Sequence, residues 1–148
     1  MHNEIVAYRE ENHNQLVDIW DRAVRETHTF LTEEDIQFYH HIVRNGALRE
    51  VEIWMELDET QDPIGFIGLD GVKIEMLFVD PKRHGQGTGS RLIQHAEKIK
   101  GKCLKVDVNE QNERAYVFYK HYGFVQTGRS ELDGSGRVFP LLHMEKNK

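Results

Sequence analysis

The fold of this chain is decided by the stretch Val79-Asp80-Pro81-Lys82-Arg83-His84-Gly85-Gln86-Gly87-Thr88-Gly89-Ser90-Arg91-Leu92-Ile93. An apolar run ends at Asp80-Pro81, three glycines follow at alternate positions, and the sequence then becomes amphipathic. This order predicts a strand, a turn and the N-terminus of a helix. Glycine lets backbone N–H groups approach an anion closely, and the helix dipole favours negative charge at that end. The stretch therefore predicts a phosphate-binding loop.

Two common nucleotide motifs do not fit this loop. A P-loop requires Gly-x-x-x-x-Gly-Lys-Ser/Thr, and no lysine occupies the required place. The dinucleotide motif Gly-x-Gly-x-x-Gly, counted from Gly85 and Gly87, puts Ser90 where the third glycine belongs. The phosphate must therefore belong to another class of ligand.

Length and composition indicate one compact domain spanning residues 1–148. The chain is 39% hydrophobic and 30% charged, and its net charge of −6 argues against a general nucleic-acid binder. No apolar run approaches the roughly 20 residues that a membrane span needs. The N-terminus lacks the apolar core of a signal peptide, and Cys103 is the only cysteine. We therefore expect a cytoplasmic protein without a membrane or nucleic-acid partner.

Hydrophobic periodicity predicts the element order β-α-α-β-β-β-α-β-α-β-β. Strands are predicted over residues 4–9, 50–57, 64–69, 72–79, 102–108, 124–129 and 138–144. Helices are predicted from residue 12, from Thr32, over 91–100 and over 111–122. The pattern indicates a mixed α/β (α+β) domain, with a largely antiparallel first half and a β-loop-α-β crossover in the middle.

A second motif follows the glycine loop, in the stretch Asn112-Glu113-Arg114-Ala115-Tyr116-Val117-Phe118-Tyr119-Lys120-His121-Tyr122-Gly123-Phe124. Ala115, Phe118 and Tyr122 fall on one side of a helix, and Tyr119 follows Ala115 by four residues. By itself, Tyr119 at this spacing is more typical of a core aromatic than of a catalytic group.

Together the two motifs resemble the landmarks of the GNAT superfamily of N-acetyltransferases. That family has Arg/Gln-x-x-Gly-x-Gly/Ala after a strand ending in apolar-x-Val-x-Pro, and here Leu77-Phe78-Val79-Asp80-Pro81 precedes the loop. Its second landmark is an Asn followed by Ala-x-x-Phe-Tyr-x-x-x-Gly-Phe. The resemblance covers Val72 to Phe124, with His84 standing where Arg or Gln is usual. It implies the GNAT fold, a mixed and mostly antiparallel central sheet flanked by helices.

A closer resemblance links the chain to the YjaB-type branch of bacterial GNAT proteins. It is carried by Trp20, by Thr27-His28-x-Phe30-Leu31 and by the tail Gly128-Arg129-Ser130-Glu131-x-Asp133-x-x-Gly136-x-x-x-Pro140-Leu141-Leu142. This likeness does not identify a substrate.

The GNAT resemblance implies acetyl-CoA as co-substrate. The expected coenzyme contacts are Leu77, Phe78, Val79, His84, Gly85, Gln86, Gly87, Thr88, Gly89, Ser90, Asn112 and Tyr119. The strand amides between Leu77 and Val79 are expected to stabilise the oxyanion that forms from the thioester. Tyr119 is expected to protonate the leaving thiolate, since a phenol of pKa about 10 matches a thiol of about 8.5.

The group that removes the proton from the amine is less well defined. Glu75 lies two residues before Leu77, so a regular strand would place both on the same face. His28 has a suitable intrinsic pKa, and Asp107 is a third candidate. Each of these residues is more often an ordinary surface group, and a route through ordered water stays open.

The predicted function is transfer of an acetyl group from acetyl-CoA to a primary amine by direct attack in a ternary complex. The alternatives are a non-catalytic CoA-binding sensor and a transferase that uses a longer acyl-CoA. The acceptor is a small-molecule or peptide amine, and self-association into a homodimer is one option.

No His-Glu-x-x-His or paired-cysteine spacing is present, so we predict no metal. Covalent catalysis by Cys103 is the least favoured route, since a lone strand cysteine is typically a small buried hydrophobe.

Overall fold

The computed structural model describes residues 3–147, which form a single seven-stranded sheet with four α-helices. The strands are β1 (Glu4–Ala7), β2 (Glu52–Leu57), β3 (Pro63–Asp70), β4 (Lys73–Val79), β5 (Leu104–Asn109), β6 (Val125–Ser130) and β7 (Leu141–Lys146). The helices are α1 (His13–Thr27), α2 (Glu33–Asn45), α3 (Thr88–Lys100) and α4 (Glu113–Tyr122). The strands lie in the order β1-β2-β3-β4-β5-β7-β6.

The element order predicted from the sequence is confirmed. β1 to β4 are antiparallel neighbours, and β5 joins β4 in parallel after the crossover through α3. Two elements begin three residues away from the predicted position, and the other bounds differ by at most two residues. α3 begins at Thr88 rather than at residue 91, because Gly87 takes a φ of 80° and turns the chain directly into the helix. β7 begins at Leu141 rather than at residue 138, because Pro140 has no N–H to donate to a strand neighbour.

Two hydrophobic cores cover the two faces of the sheet. α1 and α2 pack against β2 and β3 through residues such as Leu16, Trp20 and Phe66. α3 and α4 cover the opposite face through residues such as Leu92 and Tyr119. β3 is buried along nearly its whole length because it is covered on both sides. None of the helices in residues 3–147 is long and apolar enough to cross a membrane.

β4 is irregular, and its irregularity shapes the site. Gly68 pairs with Met76 and Leu69 with Ile74, so Glu75 is an extra residue that forms a β-bulge. β4 and β5 pair only at Lys73–Lys105 and Ile74–Val106. Beyond these pairs the two strands diverge and leave an opening in the sheet.

The backbone of β4 beyond the bulge faces this opening. Asp80 donates its N–H to the carbonyl of Ile64 at 2.8 Å, and alternate residues of an antiparallel ladder bond to the same neighbour. The amide of Phe78 is therefore directed at β3. The amides of Leu77 and Val79 point into the opening, where a ligand can meet them.

Candidate active site

A cavity of about 360 Å³ lies where the end of β4, the glycine loop and α4 meet. We call it the loop cavity. It is lined by Ala23, Thr27, His28, Leu77, Phe78, Val79, Arg83, His84, Gly85, Gly87, Thr88, Gly89, Ser90, Asn112, Arg114, Ala115, Phe118 and Tyr119. Eleven of the twelve residues predicted to contact the coenzyme thus line this one cavity. The exception is Gln86, whose exposed side chain lies outside the lining.

The loop presents uncapped helix amides to this cavity. Gly85 and Gly87 have φ angles of 79° and 80°, a region that glycine adopts without strain. Gly87 is the N-cap of α3, and no side chain caps the helix there. The N–H groups of Thr88, Gly89 and Ser90 have no acceptor within the helix, so they are available to an anion.

An ion pair between Arg91 and a buried carboxylate anchors the glycine loop to β2. Glu56 on β2 is 1% exposed and accepts hydrogen bonds from Arg91 Nε at 2.8 Å and Arg91 Nη2 at 2.7 Å. Thr88 Oγ1 also donates to Glu56, at 3.2 Å, and Arg91 Nη1 donates to the carbonyl of Gln86 at 2.7 Å. Burial raises the pKa of Glu56, but hydrogen bonds from Arg91, Asn3 and Thr88 and the charge of Arg91 together outweigh it and leave that pKa lowered. The side chain of Thr88 therefore has a structural role, whereas its backbone N–H is available to a ligand in the loop cavity.

Two basic side chains stand at the edge of the loop cavity. Arg114 Nη2 lies 3.5 Å from His84 Nδ1, which brings a guanidinium from α4 to the glycine loop. Arg83 also lines the cavity, but it is paired with Asp58 at 2.9 Å. The prediction from the sequence missed Arg114, because α4 and the loop meet only in the folded chain. A basic residue in the first turn of a helix, where acids are usual, was the available signal.

Tyr119 lies in the wall of the loop cavity, together with Leu77. It is buried and packs edge-on against Phe118 and Phe124, each with ring centroids 5.2 Å away. Burial raises the pKa of Tyr119 well above its usual value of 10. The phenol is therefore protonated at neutral pH. Asn112 also lines the cavity, but its Oδ1 caps α4 by accepting from the Ala115 N–H at 3.2 Å.

A second cavity of about 370 Å³ adjoins the first. We call it the side cleft. It is lined by Trp20, Val24, His28, Leu31, Tyr39, Ile42, Val43, Ala47, Lys73, Glu75, Met76, Phe78, Asp107, Asn109, Asp133, Gly134, Ser135, Phe139 and Leu141. His28 and Phe78 line both cavities, so the two spaces meet at these residues.

The bulge in β4 corrects the placement predicted for Glu75. Leu77 packs with the α3–α4 core, whereas Met76 and Phe78 pack with the α1–α2 core. Glu75 lines the side cleft with Met76 and Phe78, so it does not share a face with Leu77. The extra residue interrupts the two-residue alternation on which the prediction relied.

A chain of polar contacts leads from the side cleft across four strands, β4, β5, β7 and β6. Lys73 Nζ lies 2.9 Å from Asp107 and 3.4 Å from Glu75. His143 Nδ1 donates to Asp107 Oδ1 at 2.6 Å, and Ser130 Oγ lies 2.6 Å from His143 Nε2. Burial raises the pKa of Asp107, but His143 and Lys73 outweigh it and leave that pKa lowered. The sequence did not reveal His143 and Ser130, because the pairing of β7 between β5 and β6 brings them to Asp107.

His28 lies where the two cavities meet, directly after α1. Burial lowers the pKa of His28 to about 4, so its ring is neutral at pH 7. It contacts Phe30, with ring centroids 5.4 Å apart. The neutral ring is a weak base but an available hydrogen-bond partner.

Cys103 is placed away from both cavities. It is exposed rather than buried, and its Sγ lies 3.7 Å from the carbonyl of Asn147. Within residues 3–147, no group of three or more His, Cys, Asp and Glu side chains is arranged to hold a metal ion.

Comparisons with known proteins agree with this geometry. Residues 49–126 match the family model described as an acetyltransferase (GNAT) domain. The peptidyl-lysine N-acetyltransferase YjaB of Escherichia coli K12 is 42% identical over 136 residues, which are 92% of this chain and 91% of the relative. The solution structure of apo-form YjaB from Escherichia coli has a TM-score of 0.90 at 41% identity and covers 98% of this chain and 97% of its own. The PaiA N-acetyltransferase of Thermoplasma acidophilum, crystallised with coenzyme A, shares the fold at 23% identity, with a TM-score of 0.82 over the whole of both chains.

Proposed function

Because the chain belongs to the GNAT family of N-acetyltransferases, we propose that it transfers the acetyl group of acetyl-CoA to a lysine ε-amine in a peptide or protein. The observation that carries this proposal is the junction of the two cavities at His28 and Phe78. A coenzyme in the loop cavity and an amine in the side cleft would meet there. The name of the relative at 42% identity, a peptidyl-lysine N-acetyltransferase, favours lysine among the possible amines.

The coenzyme half of the site is proposed to bind phosphate through backbone amides. The uncapped N-terminus of α3 supplies Thr88, Gly89 and Ser90 amides, and Arg114, 3.5 Å from His84, adds positive charge beside them. The amides of Leu77 and Val79 face the opening between β4 and β5, where an extended coenzyme arm and the thioester oxygen would find donors. Acetyl-CoA therefore fits as co-substrate.

The proposed reaction is direct attack of the neutral amine on the thioester carbon. The C–N bond forms, the C–S bond breaks, and the amine loses one proton. Tyr119 gives its phenolic proton to the departing thiolate; its burial keeps the phenol protonated until then, but it also makes Tyr119 a weaker acid than a phenol of pKa about 10. We propose that the amine's proton leaves through water in the open side cleft. Glu75 lines that cleft, 3.4 Å from Lys73 Nζ, and unlike Asp107 it is not paired with a histidine within residues 3–147.

The side cleft supports a cationic acceptor. Glu75, Asp107 and Asp133 line it, against one cation from Lys73, which suits a group that arrives as an ammonium ion. A cytoplasmic location, a single domain over residues 1–148 and a homodimer remain predictions from the sequence.

The first experiment is an acetylation assay with acetyl-CoA and lysine peptides, read by thiol release and by the mass of the product. Tyr119→Phe should lower kcat about 100-fold, the usual contribution of a general acid, and leave the affinity for CoA nearly unchanged. Tyr116→Phe is the matched control, since it removes a hydroxyl from the same helix outside both cavities.

Three outcomes of this assay would change the proposal. Unchanged turnover by Tyr119→Phe would remove Tyr119 as the acid. Turnover of free amines but of no peptide would show that the acceptor is a small-molecule amine rather than a peptide lysine. Faster reaction with a longer acyl-CoA would show that acetyl-CoA is not the preferred donor.

A further inference from the structure

The C-terminal end of α1 carries two hydrogen bonds that take no part in the proposed proton transfers. Thr27 Oγ1 donates to the backbone carbonyl of Ala23 at 2.7 Å. The same oxygen lies 2.8 Å from His28 Nδ1. Ala23, Thr27 and His28 all line the loop cavity.

These two distances determine which nitrogen of His28 carries the proton. A hydroxyl has one hydrogen, and a carbonyl can only accept. An O···O separation of 2.7 Å between Thr27 and Ala23 is favourable only with the hydroxyl hydrogen between the two atoms. Thr27 Oγ1 must then accept from His28, so His28 carries its hydrogen on Nδ1.

The opposite edge of the His28 ring is consequently an acceptor. With Nδ1 protonated and the ring neutral, Nε2 has a lone pair and no hydrogen. Nε2 makes no hydrogen bond within residues 3–147, while the ring borders both the loop cavity and the side cleft. The ring that carries this acceptor atom therefore lies where amine and thioester would meet.

We propose that His28 Nε2 accepts a hydrogen bond from the attacking amine and that Thr27 is the positioning residue that fixes the histidine in this tautomer. This inference rests on the proposed function, because it assumes an amine at the junction of the cavities. An amine held by one N–H directs its lone pair away from that bond and towards the thioester carbon. His28 thus orients the nucleophile, and its low pKa of about 4 separates this role from that of a base.

The tautomer is measured first, on ¹⁵N-histidine-labelled protein without ligand at pH 7, by long-range ¹H–¹⁵N correlation. The wild type should show His28 protonated at Nδ1 and bare at Nε2. Thr27→Ser should keep this pattern, because it keeps the hydroxyl. Thr27→Val should lose it, since a methyl group cannot accept. A wild-type His28 protonated at Nε2, or a tautomer unchanged in Thr27→Val, would overturn the role of Thr27.

The contact with the amine is tested in the same spectra. Adding a lysine peptide together with CoA should shift the His28 Nε2 resonance, whereas the matched peptide with norleucine in place of lysine should not. This readout requires no turnover. Equal shifts with both peptides would overturn the hydrogen bond to the amine.

Kinetics separate an orienting role from a structural one. Thr27→Val should lower kcat for peptide acetylation about tenfold, as expected for loss of one orienting hydrogen bond, with the KM for acetyl-CoA unchanged. Thr27→Ser should restore the rate. A Thr27→Val protein with an altered tautomer and full kcat would refute the orienting role while leaving the acetyltransferase proposal intact. Absence of acetylation by the wild type would instead refute the proposed function.

Discussion

Arg114 changes the interpretation of the glycine loop at the scale of a single residue. The loop has His84 where its family usually has Arg or Gln, and Arg83 is already paired with Asp58. Arg114 reaches the loop from α4 and lies 3.5 Å from His84. A guanidinium from α4 thus brings positive charge to the loop beside His84.

Arg114→Met should weaken CoA binding about tenfold, because one charge-assisted contact to phosphate is lost while the length of the side chain is kept. Isothermal titration at fixed ionic strength measures the change. Lys120→Met is the control, since Lys120 is an exposed cation on the same helix and lies outside both cavities. An unchanged Kd in Arg114→Met would leave phosphate binding to the backbone amides and His84.

Glu56 is the second residue whose importance appears only in the fold. Glu56→Gln should destabilise the protein by about 2 kcal/mol, below the ~3–5 of a fully buried broken pair, because Arg91 is 41% exposed. Chemical denaturation at pH 7 measures this free energy of unfolding. Glu50→Gln, an exposed position just before β2, should change it little.

The pH dependence of the Glu56 pair follows from the sign of its pKa shift. The pKa of Glu56 is lowered in the folded state from an ordinary value of 4.5. The pair therefore stabilises the fold above about pH 4.5, and the stabilisation is lost as the pH falls through the folded value. The stability gap between wild type and Glu56→Gln should narrow in acid, and a gap that stayed constant down to the folded pKa would contradict this account.

At the scale of elements, the contact between α3 and α4 depends on Gly89. A Cβ at Gly89 would lie 3.1 Å from the ring of Phe118, so the ring would have to move by a few tenths of an ångström. Gly89→Ala should therefore cost about 1 kcal/mol of stability and reduce CoA affinity, because the helix N-terminus shifts within the site. Thermal unfolding and titration measure the two effects.

Gly134→Ala is the control for Gly89→Ala. Nothing lies within 4 Å of a Cβ at Gly134. Equal losses of stability in both variants would show that the packing against Phe118 is not the cause.

The elements themselves were largely predictable, whereas the bulge in β4 was not. Hydrophobic periodicity identifies α1 and β2 because it depends only on residues close together in the sequence. The extra residue at Glu75 is defined by how β4 pairs with Gly68 and Leu69 of β3, which period alone does not encode. Glu75 was therefore correctly assigned to a strand and wrongly placed on the face of Leu77.

For the whole molecule, the site joins the two halves of the sheet across the opening between β4 and β5. Coenzyme bound there should stabilise the native state by about 2.7 kcal/mol at 100 times its Kd, which is about 5–10 °C in Tm for a chain of this size. Differential scanning calorimetry with CoA measures the shift. Adenosine at the same concentration, which lacks the phosphates and the pantetheine arm, should give much less. Equal shifts in Tm with CoA and with adenosine would contradict binding through the phosphates.

The sequence by itself determined the order of the elements, the glycine loop and the position of Tyr119 on its helix, because each depends on residues close together in the chain. The tertiary structure decided what those parts do together. It directed Arg114 to the loop, joined Asp107 to His143 and Ser130, and placed His28 between two cavities. The physical reason is that side-chain contacts, burial and the shifts in pKa that follow from them depend on which strands and helices become neighbours.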